Sequence, residues 1–389
     1  MKKLALHGGQ RVITKDFPKW PVWDDNDAKA VADAVRGEVW GYGGGMIDKF
    51  ASSFAKFQRL AHVVPVANGS VALDIALQAL GVGRGHEVIV PDYTFMATAV
   101  APLRCGAELV LADVDPETFC LDPLKMQQAI TERTKAIICV HIGGHPCDMT
   151  AIMTIANKYG IPVIEDCAHA HGAVWDSISI GSFGDICTFS FQSSKTLACG
   201  EGGAVGTNSA RLARLCWAWQ NCGRVSGETD YNHYLPATNY RIGNLQAALL
   251  TTQLARLEEQ CRVRDENGAY LTGLLSKVPG VKPQTRHAKV GRHGFYLFSF
   301  LVDPSMPRDA FRAALKAEGV PTQLQYPTIH SLDFVRAHGI RGDNFPVSTM
   351  VADRSVWLYH RALLGSREDT ARIAEAVEKI VGAKNELSS

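Results

Sequence analysis

From about residue 60 the apolar positions fall into short unbroken runs separated by segments of helical period. Val63-Val64-Pro65-Val66-Ala67 leads into a helical pattern from Ser70 to Leu80, and Glu87-Val88-Ile89-Val90 into one from Thr94 to Arg104. Leu109-Val110-Leu111-Ala112, a helix over Leu124 to Ile130, Ala136 to Val140, a helix over Met149 to Lys158 and Pro162-Val163-Ile164-Glu165 continue the alternation. Continuous Val/Ile runs joined by helices predict parallel strands buried on both faces, hence an α/β sheet under helical cover. Gly81-Val82-Gly83-Arg84-Gly85 and Tyr159-Gly160-Ile161-Pro162 punctuate the helix-to-strand joins.

A proline-free helical pattern runs from residue 243 to about 276, and the texture changes beyond it. Phe295 to Leu301 reads as a strand, Arg308 to Glu318 as a helix and Thr370 to Val381 as a closing helix, with the last six residues frayed. The expected organisation is a large domain with an N-terminal arm over 1–255 and a smaller α+β domain over 256–389.

Composition narrows the function classes. In 389 residues the hydrophobic share is 46%, the charged share 20% and the formal net charge +1. That describes an ordinary globular enzyme with no electrostatic footprint for nucleic acid or an anionic membrane, so a phosphate-bearing ligand must be held by local geometry. The ten cysteines form no CxxC pair, and several, such as Cys139, Cys167 and Cys187, lie in apolar runs as small core residues. No apolar stretch suits a signal peptide or a membrane span, so a reduced, cytoplasmic protein is expected.

Candidate chemistry gathers where ligands collect in open α/β sheets, at the carboxyl ends of strands. Asn68-Gly69-Ser70 follows one strand and opens a helix, so its N–H groups and the Ser70 hydroxyl suit a phosphate; a turn with a serine N-cap is the alternative. Asp166 ends another strand, and a buried carboxylate there needs a partner. His169 and His171 beside it invite a metal, but no further ligands are spaced to complete a set, and none is expected. Lys195 follows the strand-like Ile186 to Phe191, 29 residues after Asp166, amid small residues and ahead of Gly200-Glu201-Gly202-Gly203. A lysine that can form an imine, with a carboxylate to keep a pyridine nitrogen protonated, meets the needs of pyridoxal phosphate chemistry. Ser190 can add a second hydroxyl to the phosphate cup.

Taken in order, Asn68-Gly69-Ser70, Glu165-Asp166-Cys167-Ala168-His169-Ala170-His171-Gly172, Phe189-Ser190-Phe191 with Lys195, Glu201-Gly202-Gly203 and Asn239-Tyr240-Arg241 resemble the DegT/DnrJ/EryC1/StrS aminotransferases. These are fold-type I pyridoxal phosphate enzymes that mostly aminate keto sugars and cyclitols. The resemblance implies that Lys195 is the Schiff-base lysine and Asp166 the pyridinium partner. By the same resemblance His169 contacts the cofactor's 3-oxygen, Gly69, Ser70 and Ser190 bind phosphate, and Phe95 stacks on the ring. Asn239 would reach the phosphate from the neighbouring subunit of a homodimer with shared sites. Tyr326, His330, Arg241 and His360 are the implied substrate contacts.

Val356-Trp357-Leu358-Tyr359-His360-Arg361 departs from the Leu-Pro pattern of nucleotide-sugar members. With Asn221-Cys222-Gly223-Arg224 it looks closer to the cyclitol and 3-amino-5-hydroxybenzoate synthase branch. The expected reaction moves an amino group from glutamate or glutamine to a keto sugar or keto-cyclitol. The alternatives are dehydration and aromatisation of an aminated ring, and an inactive ligand-sensing relative. Related sugar dehydratases carry histidine in place of the lysine, which Lys195 argues against.

Overall fold

The computed structural model describes residues 3–43, 45–227 and 231–388. Its centre is a seven-stranded sheet in the order His62–Val66, Gly203–Thr207, Ile186–Ser190, Val163–Asp166, Thr134–Val140, Glu87–Pro91 and Glu108–Ala112. Only Gly203–Thr207 runs against its neighbours, so the sheet is mostly parallel as the apolar runs predict. Successive side chains of a strand point to opposite faces, and each face here has its own core. Ile89, Val110, Ile137 and Val163 belong to one; Val88, Val90, Leu109, Leu111, Ile138 and Ile164 belong to the other.

Helices Gly69–Ala79, Ala97–Arg104, Pro123–Ala129 and Met149–Tyr159 follow the strands in turn. Asn68, Asp122 and Asp148 cap three of them by accepting first-turn N–H groups. The cap at the first is therefore Asn68, which accepts from Val71 at 3.0 Å; Ser70, the serine considered for that role, lies inside the helix and keeps its hydroxyl free of it. The pattern read from Thr94 starts at Ala97, because Asp92 to Met96 form the loop over the strand end.

The 32-residue helix Asn244–Leu275 matches the long proline-free pattern. Residue 256 falls inside it, and its two halves serve different cores. Ala247, Leu250, Leu257 and Cys261 pack against the large sheet, while Leu271 and Leu275 join a third core with the C-terminal segment. That segment carries an antiparallel sheet in the order Val281–Pro283, Leu297–Val302, Ser355–Tyr359 and Thr322–Gln323, covered by Arg308–Ala317 and Arg367–Gly382. Leu4, Ile13 and Phe17 of the N-terminal arm are buried in this third core. The expected fraying at the C-terminus does not occur up to residue 388. Lys384–Ser388 forms a 3-10 helix, with Leu387 buried and Glu386 accepting from the Leu4 N–H at 3.2 Å, so tertiary contacts supply what local sequence lacks.

Glu165, one residue before the candidate carboxylate, is fully buried. It accepts from the backbone N–H groups of Gly181 (2.8 Å), Phe183 (2.8 Å) and Gly184 (2.7 Å) and from His141 Nε2 (3.2 Å). Nδ1 of His141 accepts from Cys147 N–H at 3.0 Å, which leaves the proton on Nε2. The cluster of His141, Glu165 and Cys167 is thus a saturated structural network that fixes the strand end. Truncating a buried charged acceptor leaves its donors unpaired and costs about 3–5 kcal/mol. Glu165→Ala should therefore lower unfolding stability by about that amount, measured by urea denaturation followed by circular dichroism; wild-type stability would show that the 181–184 turn does not rest on this carboxylate.

Candidate active site

The strand ends open onto a cleft of about 760 Å³ whose walls include Gly69, Ser70, Phe95, Asp166, His169, Ser190, Lys195 and Tyr326. Eight of the residues singled out in the sequence thus converge on one cavity. At one end the helix Gly69–Ala79 abuts the strand Ile186–Ser190 so closely that a Cβ on Gly69 would lie 2.8 Å from Ser190 Cβ. Glycine is needed there to bring the two elements together. Asn68 satisfies Val71, while the amides of Gly69 and Ser70 have no partner among the described residues. Open amides at a positive helix end, flanked by two hydroxyls, form an anion cradle.

Asp166 is buried on the cleft floor. Thr98 Oγ1 donates to one oxygen (3.0 Å) and the Ala168 N–H to the other (3.1 Å). Burial pushes its carboxyl above the usual range, against these hydrogen bonds and the charge of Lys195. A cation on the cleft side would favour the ionised form. His169 stands beside it with Nδ1 accepting from Gly143 N–H (3.2 Å) and Nε2 facing the Tyr326 hydroxyl (3.4 Å). Burial holds its pKa well below the ordinary histidine value, so the ring is neutral and its proton sits on Nε2. His171 turns away: Nδ1 meets Thr196 Oγ1 at 3.2 Å and the ring packs among Phe54, Phe189 and Phe191.

Lys195 is half-buried, with its Nζ surrounded by protein 4.4 Å from the centre of the Tyr296 ring. Desolvation lowers its pKa from 10.5 to about 8, and Asp166 limits the drop. Its loop is held from behind: the Ser194 carbonyl accepts from Tyr359 hydroxyl (3.1 Å) and pairs with His360 Nε2 (3.0 Å). Trp20 Nε1 donates to the Ser193 carbonyl at 3.1 Å.

Three of the implied substrate contacts stand elsewhere. His360 is fully buried behind the lysine loop. His330 pairs through Nδ1 with Asp92 at 2.7 Å and borders a separate cavity beside Phe345. Arg241 donates to Asn221 Oδ1 at 2.9 Å, and Asn239 is exposed outside the cleft of this chain. Sequence reading missed Tyr296, which stacks on His169 at 4.2 Å, and also Thr98 and Gln192. Tyr296 lies in the apolar run Phe295–Leu301, where only its hydroxyl hinted at a role.

Residues 21–378 match the profile of the DegT/DnrJ/EryC1/StrS aminotransferase family. The chain is 36% identical over 379 residues to the 3-amino-5-hydroxybenzoate synthase of Amycolatopsis mediterranei (strain S699), covering 94% of this chain and 97% of that protein. It is 34% identical to the L-glutamine:2-deoxy-scyllo-inosose aminotransferase of Streptoalloteichus tenebrarius, covering 99% of each. Among solved structures, that of 3-amino-5-hydroxybenzoic acid synthase superposes with a TM-score of 0.91 at 35% identity, over 95% of this chain and 99% of that one.

The depressed pKa of Lys195 has a measurable sign. Between pH 8 and 10.5 the unfolded lysine binds a proton that the folded one does not, so stability contributed at this residue rises with pH. In the cofactor-free protein, Lys195→Met should be more stable than wild type at pH 7, and the gap should narrow as pH climbs from about 8 towards 10.5. Parallel denaturation curves across that range check it; a constant gap would place the amine in a water-like environment.

Proposed function

Because the chain belongs to the DegT/DnrJ/EryC1/StrS aminotransferase family, we propose that it uses pyridoxal phosphate to move an amino group from glutamate or glutamine to a cyclic ketone, a keto sugar or keto-cyclitol. The observation that carries this reading is the convergence of an amine, a carboxylate and an anion cradle on one cleft. Each part fits the cofactor: the close approach at Gly69 suits a phosphate, Asp166 makes no direct ion pair among the described residues, and Lys195 has an amine of lowered pKa. The printed names of the relatives, among them L-glutamine:2-deoxy-scyllo-inosose aminotransferases, support the donor and the ring ketone.

When bound, the cofactor supplies an electron sink for breaking a bond at the donor's α-carbon. In our reading the first-turn amides of Gly69 and Ser70, with Ser190, hold its phosphate. Lys195 would hold it covalently and its amine would carry the proton moved during transfer; a pKa of about 8 leaves part of the amine neutral near physiological pH. Asp166 would keep a proton on the pyridine nitrogen, and the His169 Nε2–H would donate to the ring oxygen. Phe95, exposed at the cleft, would cover the ring. Tyr326, whose hydroxyl stands 3.4 Å from His169 Nε2, faces the substrate space.

A homodimer with shared sites explains why Asn239 is exposed and lies outside its own chain's cleft. Among the described residues no helix is long and apolar enough to cross a membrane, and all ten cysteines are free thiols, which suits a reduced cytoplasm. A second reading, dehydration and aromatisation, is favoured by the 36% identity to 3-amino-5-hydroxybenzoate synthase. An aromatic ultraviolet product would select it.

The test is a half-reaction screen. Holoenzyme converted by glutamate or glutamine to its amino form is offered a panel of ketones, and return of the starting absorbance identifies the acceptor class. Asp166→Asn should cut the rate by about 100-fold or more, the scale of losing one strong electrostatic stabiliser; a near-normal rate would make this carboxylate a structural cap. For the shared site, Lys195→Ala alone should be inactive and Asn239→Ala should bind cofactor weakly. Mixing the two under subunit exchange creates one intact site per heterodimer, so activity at limiting cofactor should exceed that of either parent. Exchange without rescue would return Asn239 to its own chain.

A further inference from the structure

Gln192 and Glu201 both line the cleft that holds Lys195, and neither has a part in the cofactor reading above. The strands Ile186–Ser190 and Gly203–Thr207 pair with Ser190 opposite Gly203. Their ladder continues past the assigned ends: Phe191 N–H donates to Gly202 (2.7 Å) and Ser193 N–H to Gly200 (2.9 Å). The residues between, Gln192 and Glu201, are therefore a non-hydrogen-bonded cross-strand pair, the kind whose side chains stand closest together on one face.

The amide of Gln192 has a fixed orientation. Its Oε1 accepts from both the Ser194 N–H (2.8 Å) and the Ser194 hydroxyl (2.7 Å). A backbone N–H can only donate, so this position must be the oxygen and the opposite one the NH₂ group. Because the Ser194 hydroxyl spends its proton on Gln192, the contact with Tyr296 at 2.9 Å has the tyrosine donating. The network runs Tyr296 to Ser194 to Gln192 and ends with Nε2, which has no partner among the described residues. Glu201 is exposed, and its carboxylate likewise has none. A fixed donor thus stands beside a charged acceptor on the wall of the cleft, apart from the groups assigned to the cofactor.

We propose that Gln192 and Glu201 form a subsite for adjacent hydroxyl groups of the acceptor ring, the amide donating to one oxygen and the carboxylate accepting the proton of its neighbour. This deepens the aminotransferase reading and rests on it: the acceptor is a polyhydroxylated ring recognised through its hydroxyls. A pair of opposite hydrogen-bonding character suits a diol, in which every oxygen both donates and accepts, and it disfavours an anionic substituent, which Glu201 would repel.

The probe is myo-inositol, which carries hydroxyls and no ketone, titrated into holoenzyme by saturation-transfer NMR beside cyclohexanol. The wild type should bind the polyol and barely register the mono-alcohol. Glu201→Gln and Gln192→Leu should each weaken polyol binding about 10-fold or more, the scale of a lost charge-assisted or buried hydrogen bond. Gln192→Glu keeps the acceptor that anchors Ser194 but removes the donor. It should lose polyol binding as Gln192→Leu does, and recovery in this variant would reduce Gln192 to a support for the lysine loop. With a turned-over ketone, the loss should appear in the acceptor's KM. Unaltered polyol binding in both single variants, or an equal rise in the donor's KM, would overturn the subsite. Failure of the wild type to take an amino group from either donor would instead sink the aminotransferase reading, and the inositol titration would still judge the pair.

Discussion

The carboxylate of Asp166 and the amine of Lys195 share one largely desolvated cleft, and burial drives both toward neutrality. Their mutual attraction offsets only part of that cost. The surrounding structure answers with fixed dipoles instead of further charges: Thr98 and Ala168 on the acid, the Tyr296 ring face beneath the amine, and saturated Glu165 one residue away holding the strand end still. A carboxylate and an amine left short of compensation are receptive to a ligand that carries the complementary groups. The helix that opens at Gly69 adds an anion cradle at the other end of the same cavity, so one extended ligand can satisfy all three features together.

Much of this was legible in the sequence because period and punctuation report local structure directly. Unbroken Val/Ile runs marked the parallel strands, and Asn68-Gly69-Ser70, Asp166 and Lys195 stood at strand ends where the topology gathers ligands. The misplaced residues share a physical cause. His360 follows the strand Ser355–Tyr359, but whether such a residue faces the cleft or the back of the lysine loop depends on how the C-terminal sheet docks against Ser194, with which His360 pairs at a separation of 166. His330 pairs with Asp92 across 238 residues, equally invisible to local pattern. Tyr296 was hidden for the opposite reason: its neighbours are so uniformly apolar that its hydroxyl read as incidental until Ser194 was seen against it.

The lysine loop shows how one segment can serve two surfaces. Its backbone carbonyls at 193 and 194 are taken by Trp20, Tyr359 and His360 from behind, so its side chains are free to look forward. The long helix Asn244–Leu275 works on a larger scale in the same way, since one continuous rod supplies side chains to the core beneath the sheet and to the C-terminal core.

The meeting of Leu4 with Glu386 spans 382 positions of sequence. Together with the burial of Leu4, Ile13 and Phe17 in the third core, it means that this core joins the arm to residues 271–387. Closing so long a loop carries a large entropic cost and slows the contacts that require it. The central sheet draws its strands from residues 62 to 207, and the cores on its two faces include none of these arm residues. The arm packs on the third core and carries Trp20 to the loop that holds Lys195. The loop that carries Lys195 is thereby tied, through Trp20 and the arm, to the packing of a core that lies outside the central sheet.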